Sequence, residues 1–422
     1  MRGLPITLLL LLASCAGESE RVKDASIAAD SVYLDYAASF RINSAALSEF
    51  ARVSRMDGNS SGVNPHAAKL KKLESDAARI VAEKIGAREG QILFTNSASV
   101  ANNIIILGVA GKNPGCHFVT SKIEHKSVLN VFAHLEKTGY TVTYLDVDRY
   151  GRINLDQLER SIRENTRLIS VQMLNSEIGV LQNLQAIGKI ARRRHVLFHS
   201  DAAQSFCRYP IDVDDMNIDF LTMSGHKIGA PKGIAATYIR DRDELQPILF
   251  GSGDDLFPGT KPTALVAAFG VAVVDFHLNR PKIELNFDTL AAELLKMGGV
   301  HINSVSPSHI ISVSIEGVLL QDVLDRLPKY SFAAGCSCIG AGQSNVILAI
   351  DPEGKLPSCT LRISFSGEVE PDELTSFAKD LKTVVKQLRR EKDLGIGCSG
   401  NDDQQKILLQ RFESIQKILS KK

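Results

Sequence analysis

The chain is 422 residues long, 44% hydrophobic and 23% charged, enough to bury a large core and to form about two or three domains. Its 49 basic and 48 acidic side chains nearly cancel, so no overall field draws it to nucleic acid or to an anionic membrane, and small-molecule chemistry is the expected class of function. Seven cysteines, scattered and without paired C-x-x-C spacing, indicate neither a disulfide framework nor a structural zinc site.

The N-terminus, MRGLPITLLLLLASCAGESE, has one early arginine, a leucine run and small residues ahead of Cys15, the layout of a bacterial lipoprotein signal with LASC as its cleavage box. The apolar run is too short to span a bilayer as a mature helix, and polar, linker-like residues 16–30 separate it from the first globular segment. VYLDYAAS then opens as a short strand. In HAAKLKKLESDAARIVAEKIGA, Leu70, Leu73, Ala77, Ile80, Val81 and Ile85 share one helical face, closed by Gly86. Strand-like runs follow: QILFTNSAS, CHFVTSKIEH, YTVTYLDVD, TRLISVQML, HVLFHSDAAQS, IDFLTMSG and AATYIRD. Short β-branched runs alternating with helices imply a mainly parallel α/β sheet covered on both faces. HVLFH reads as strand, which would set His195 and His199 about 13 Å apart along one face, too far for a metal pair.

Polar clusters fall at the carboxyl ends of these strands, where open α/β sheets bind ligands. FTNSASVANN passes through Ser97 and Ser99 into an apolar helix, which suits an anion as well as a simple helix cap. His125, in TSKIEHKSV, sits on a loop just past a strand and taken alone reads as a surface residue. Asp201 directly follows a buried-looking strand in FHSDAAQS, with Gln204 in the turn; a carboxylate at that depth needs a cationic or hydrogen-bonded partner. Lys227 ends FLTMSGHK, where a lysine snorkels to water, finds a counter-charge or does chemistry as a partly neutral amine. Lys227 and Asp201 at two strand ends, beside a phosphate-ready helix start, meet the needs of pyridoxal phosphate: an amine to anchor it, an acid for its ring nitrogen and an anion cradle. Further on, AAGCSCIGAG sets Cys336 and Cys338 among small residues, as a mobile loop requires if a thiolate is to travel to a substrate; the alternatives are plain loop residues or a C-x-C metal half-site. In the tail, Ile407, Leu408, Phe412, Ile415 and Ile418 have the spacing of an amphipathic helix.

YLDYAAS, FTNSAS, TSKIEHKSV, NSEIGVLQ, HSDAAQS, SGHKIGAPKG, PGT and GCSCIG occur in the order and approximate spacing of the cysteine desulfurases, class V aminotransferase-like enzymes, and the chain resembles that family over residues 31–390. The resemblance implies a type I fold for pyridoxal 5'-phosphate enzymes. A large domain over residues 46–275 would carry a mainly parallel seven-stranded sheet, and residues 31–45 with 276–395 would form a smaller α+β domain holding the cysteine loop; 1–30 are leader and linker, and 396–422 a tail. It implies that Lys227 anchors the cofactor and carries a proton, Asp201 pairs with the ring nitrogen, His125 stacks on the ring and Gln204 reaches the phenolic oxygen. Ser99, Ser224 and His226 would bind phosphate, together with Thr260 of the partner subunit in a homodimer. Arg362, in LRISFSG, would hold the substrate carboxylate, a task suited to a bidentate guanidinium.

The same resemblance aligns Cys338 with the nucleophile and Cys336 with a serine or similar small residue. The implied reaction takes sulfur from L-cysteine, leaving alanine and a persulfide for a sulfur acceptor or iron–sulfur scaffold protein. Several positions depart from the family pattern. Ser176 stands where a cofactor-facing asparagine is usual and Val100 where a glutamate is usual; GSGDDLFPGT is short and lacks the usual arginines, and GNSSGVNPH is irregular. A degraded homologue serving as scaffold, or a lyase or transaminase acting on another amino acid, are the alternatives. Vulnerable loop thiols and the need for cofactor and acceptor favour the cytoplasm, and the LASC box favours a membrane-anchored lipoprotein.

Overall fold

The computed structural model describes residues 31–392 apart from 306, 335–343, 355 and 358. The leader with Cys15, the segment with Cys336 and Cys338, and the tail expected to be helical lie outside the described residues.

The chain opens with β1 (Val32–Tyr33), then lays down β2 (Ile92–Thr95), β3 (His117–Ser121), β4 (Thr141–Leu145), β5 (Thr166–Ser170), β6 (Leu197–Asp201), β7 (Phe220–Ser224) and β8 (Ala235–Ile239). Strands β2 to β8 form one seven-stranded sheet in the order β2-β8-β7-β6-β5-β3-β4. Within it β8 alone runs against its neighbours, so the mainly parallel sheet expected from the alternating pattern is what forms. Both faces are covered, and adjacent residues of one strand feed opposite cores. Phe118, Leu168 and Phe220 pack with Ile104, Ile105 and Phe132; Val119, Ile169 and Leu221 pack with Val81, Ile187 and Phe269 on the other side. The helix Pro65–Glu83 ends where expected, and Gly86 beyond it takes φ +70°, a conformation that glycine adopts without the Cβ penalty.

A second, four-stranded sheet is built from β9 (Val300–Ile302), β10 (Ile310–Ile315), β12 (Ala333–Ala334) and β13 (Cys359–Ser364), in the order β12-β13-β10-β9 and antiparallel throughout. The short strand β11 (Tyr330–Ser331) pairs in parallel with β1, and Asp35 bridges to Ser364. The first described segment is thereby tied to this late sheet. Its core joins Leu34 and Tyr36 to Ile311, Val313, Leu361 and Ile363, closed by Phe287 and Leu290 of the helix Arg280–Leu295 and by Phe377 and Leu381 of the helix Pro371–Lys392.

One local expectation is corrected. His195 is not on a strand: the chain leaves the helix Leu184–Arg193 through a tight turn in which Val196 N–H returns to the Ala191 carbonyl at 3.0 Å and His195 takes φ +53°, and β6 begins only at Leu197. His199 is on β6, buried between the hydroxyls of Ser170 (2.9 Å) and Thr222 (3.1 Å). No helix among the described residues is long and apolar enough to cross a membrane.

Candidate active site

A cavity of about 660 Å³ opens at the carboxyl ends of the parallel strands, with Lys227, Asp201, His125, Gln204 and Arg362 in its wall. That volume suits a cofactor with a small substrate. Ser99, Ser176, Ser224 and His226 border the same space. Thr260 does not: it lies exposed on a separate cleft of about 230 Å³ together with Lys71, Glu74 and Lys261.

Lys227 reaches the cavity because β7, buried at all five residues, ends in the one-turn 3-10 helix Gly225–Lys227. Its amine donates to two carbonyl oxygens, those of Ala37 and Ala38 (2.7 Å for the latter), and to no carboxylate. Burial, then the positive charges of Arg362 and Arg208, push the amine down to about 7; Asp35 and Asp201 oppose this. An amine so placed is substantially uncharged at neutral pH, the form in which nitrogen is a nucleophile.

Asp201 closes β6 and is buried. Its Oδ1 accepts the Ala203 N–H at 2.9 Å and its Oδ2 accepts from the Asn102 amide at 3.0 Å. The second hydrogen of that amide goes to the Ser127 hydroxyl oxygen at 2.9 Å, which directs the hydroxyl proton to His125 Nδ1, 2.8 Å away. Nδ1 also accepts the Ser127 N–H at 3.1 Å as the cap of the helix Lys126–Lys137. With Nδ1 an acceptor twice over, the ring proton sits on Nε2. His125 opens to the cavity, yet the surrounding walls desolvate it and hold its pKa below the ordinary value, with Asp201 working the other way. The residue that reads as a surface histidine in isolation is thus a neutral cavity group.

Gln204 donates through Nε2 to the Ala37 carbonyl at 2.8 Å, and its Oε1 faces Nε2 of the buried His309 at 3.3 Å. Ser97 caps the helix Ala98–Lys112 by accepting the Val100 N–H at 3.3 Å, leaving Ser99, the second residue of the helix, open to the cavity; the first turn of a helix has N–H groups to spare for an anion. Val100 packs against the core beneath this turn. His226 contacts the Ser39 hydroxyl at 3.4 Å, and burial followed by the charges of Lys227 and Lys232 pushes it down to about 4, so its ring is neutral.

Arg362 comes from the other sheet, on β13. One terminal nitrogen donates to Asp35 Oδ1 at 2.8 Å and the other to the Ser176 carbonyl at 3.0 Å. Its Nε is buried without a hydrogen-bond partner among the described residues, while the residue itself lines the cavity.

Residues 32–377 match the family model described as aminotransferase class-V. The chain belongs to the class-V aminotransferases. Within them it falls in the cysteine desulfurase family: it is 34% identical to the mitosomal cysteine desulfurase of Trachipleistophora hominis, over 77% of this chain and 80% of that protein, and 33% identical to the cysteine desulfurase IscS of Tolumonas auensis, over 85% and 93%. Among solved structures it is similar to SspA in complex with cysteine (35% identity, TM-score 0.72, 79% of this chain and 99% of that one) and to a NifS-like protein (25% identity, TM-score 0.78, 85% and 100%).

Several side chains of this cysteine desulfurase family member enter the site unannounced by the sequence. Asp35 lies inside the motif YLDYAAS, so its position was visible and its pairing was not. Asn102, Ser127, Arg208 and His309 had no local signal; only the packing of the helix Ala98–Lys112 against β6 and β7, or of one sheet's loops against the other, gives them partners. Two acids are also held in unusual states. Burial pushes Glu177 up to about 7, while the Ser344 hydroxyl donates to it.

Glu124, beside His125, is buried where it receives the Ser121 hydroxyl and the Gln172 N–H (3.0 Å to Oε2), and desolvation raises it from 4.5 to about 8. The folded protein keeps this proton while the unfolded chain releases it above about pH 4.5. Its contribution to stability is therefore complete below about pH 4.5 and is lost as pH rises through about 8. Glu124→Gln is expected to fold and to flatten the fall in stability across that interval, read by denaturant unfolding at its two ends; an unchanged slope means Glu124 ionises freely in the native state.

Proposed function

We propose that this protein is a pyridoxal-phosphate-dependent cysteine desulfurase whose site is the cavity around Lys227. The observation that carries the reading is the meeting of a low-pKa amine, a hydrogen-bonded carboxylate, a neutral histidine and an arginine in one space, in a chain whose curated relatives are named cysteine desulfurases.

The donor set fits the cofactor. Lys227 would anchor it, Asp201 would hold a proton at its ring nitrogen, His125 would lie against the ring and Gln204 would reach its phenolic oxygen. Ser99, Ser224 and His226 would take the phosphate, and Ser176 borders the space near Arg362. When bound, pyridoxal phosphate supplies an electron sink for negative charge at the substrate's Cα. Lys227 would take and return the Cα proton. Arg362, whose guanidinium plane is fixed by Asp35 and the Ser176 carbonyl, would hold the substrate carboxylate. Cys338, outside the described residues, is assigned as the thiolate that takes the sulfur of L-cysteine as a persulfide while alanine is released, and a sulfur acceptor or iron–sulfur scaffold protein would collect it.

The reading includes a homodimer in which Thr260 serves the neighbour's phosphate site, a large domain over 46–275 with a smaller one from 31–45 and 276–395, and a cytoplasmic setting. Mass spectrometry after a single turnover with L-cysteine tests the core of it. Cys338→Ser is expected to bind cofactor and substrate but to form no persulfide, and Cys336→Ser to keep most of its alanine production. A persulfide on Cys336, or undiminished alanine from Cys338→Ser, overturns the assignment; lipid on Cys15 of protein from its own cells overturns the location.

A further inference from the structure

Arg208 lies in the turn after β6, 4% exposed. Its Nη2 donates to the Lys227 carbonyl and its Nη1 to the Gln204 carbonyl at 3.3 Å. The guanidinium carbon stands 5.8 Å from the ring centre of Phe40 and 5.1 Å from that of Phe276. None of these partners is a carboxylate. A buried guanidinium with no carboxylate partner among the described residues is expensive, and here it is also held in place: the Arg208 carbonyl accepts from Arg280 at 2.9 Å, which ties the turn to the helix Arg280–Leu295. Burial lowers Arg208 only to about 10, so it remains charged at neutral pH.

We propose that Arg208 is a positioning residue for Lys227: its guanidinium fastens the turn carrying the amine to the turn carrying Gln204, and keeps a fixed positive charge beside the amine. The proposal rests on the reading of Lys227 as the covalent anchor. A single fork holding the backbones of both residues sets the distance between the amine and the group assigned to the phenolic oxygen. The charges around the amine are Arg362 from β13 and Arg208, which disfavour its protonation, and Asp35 beyond β1 and Asp201 from β6, which favour it. His125, His226 and His309 also face the region and are held towards neutrality by burial. Against this background, the loss of the Arg208 charge leaves Arg362 opposed by two carboxylates.

The test is the pH dependence of acetylation of Lys227 in the cofactor-stripped protein, read by mass spectrometry, for wild type, Arg208→Lys and Arg208→Gln. Wild type is expected to reach half-reaction near pH 7. The glutamine variant should move upward by about one pH unit, and the lysine variant by less, because its amine in the same buried pocket is itself driven towards neutrality and lacks the second arm of the fork. A merely structural role would not separate the two. A glutamine variant that folds and titrates like wild type overturns the proposal. Should it not fold, the lysine variant decides: an upward displacement supports the proposal and a wild-type profile overturns it. Borohydride reduction of the loaded wild type separates the underlying reading: no cofactor mass on the Lys227 peptide means that the anchor itself is wrong.

Discussion

Lys227→Ala is expected to lower alanine formation from L-cysteine by about 10⁴-fold or more, the upper range for a side chain that positions and transfers a proton. The expectation follows from where the amine is held. Two carbonyls from residues 37 and 38 fix its direction, and desolvation with two neighbouring arginines holds it near pH 7, half neutral under working conditions. Alanine removes both the covalent anchor and the base; Lys232, the other lysine among the described residues that line the cavity, comes from the glycine-rich turn beyond. Stability should not fall with activity. The substitution relieves the desolvation of an amine whose partners are all carbonyls, so the cofactor-free variant is expected to unfold at the same temperature as wild type or higher. Alanine production within tenfold of wild type, or a clear drop in thermal midpoint, would contradict this account.

Asp201→Ala carries the next largest effect. The carboxylate accepts two hydrogen bonds, from Asn102 and Ala203, and is assigned to keep the ring nitrogen protonated. Without it the site loses the negative charge that would hold the proton on the ring nitrogen, a preorganised electrostatic term worth about 10²–10³ in turnover. The structural cost is separate. It leaves one Asn102 hydrogen unpaired in a buried position, about 1–3 kcal/mol, and loosens the chain of contacts through Ser127 to His125. Rate and stability should therefore fall together, and Asp201→Asn should restore part of the stability, through its remaining acceptor, without the rate. Near-normal alanine formation by Asp201→Ala would remove Asp201 from its assigned role.

Much of this site is legible in the sequence because of how parallel sheets are made. β6 and β7 are buried runs that begin with apolar pairs and pass into polar residues and a turn, so Asp201 at the end of one and Lys227 just past the other declare themselves as strand-end groups. Ser97 and Ser99 do so as the start of an apolar helix. His125 is not legible by itself: nothing in TSKIEHKSV tells a cap histidine over a cavity from one facing solvent, and only the resemblance picks it out. Arg362 is the harder case, since its partner Asp35 is 327 positions away and the two meet through the bridge between Asp35 and Ser364 of β13, which no local pattern encodes. Arg208 and Asn102 are illegible for the opposite reason. A buried arginine without an acid, and a polar residue on the buried face of an apolar helix, both violate the ordinary patterning rules. Such violations become informative only once burial is known. His195 fails more simply, by one tight turn that shortens the strand.

The bridge between residues 35 and 364 also bears on how a nascent chain acquires its site. By the time residue 239 has left the ribosome, every strand of the seven-stranded sheet exists, and that layer has what it needs to collapse. The carbonyls that orient Lys227 and Gln204 belong to residues 37 and 38, however, and their segment is pinned by β11 and β13, which are synthesised roughly a hundred residues later. A long interval between paired segments slows their closure. Vectorial synthesis thus separates the making of the scaffold from the full fixing of the amine: a ribosome-stalled fragment ending before β11 would carry Lys227 on a folded sheet with its orienting segment held from one side only, by Phe40 at the His226 carbonyl and Asn43 at the Gly229 carbonyl.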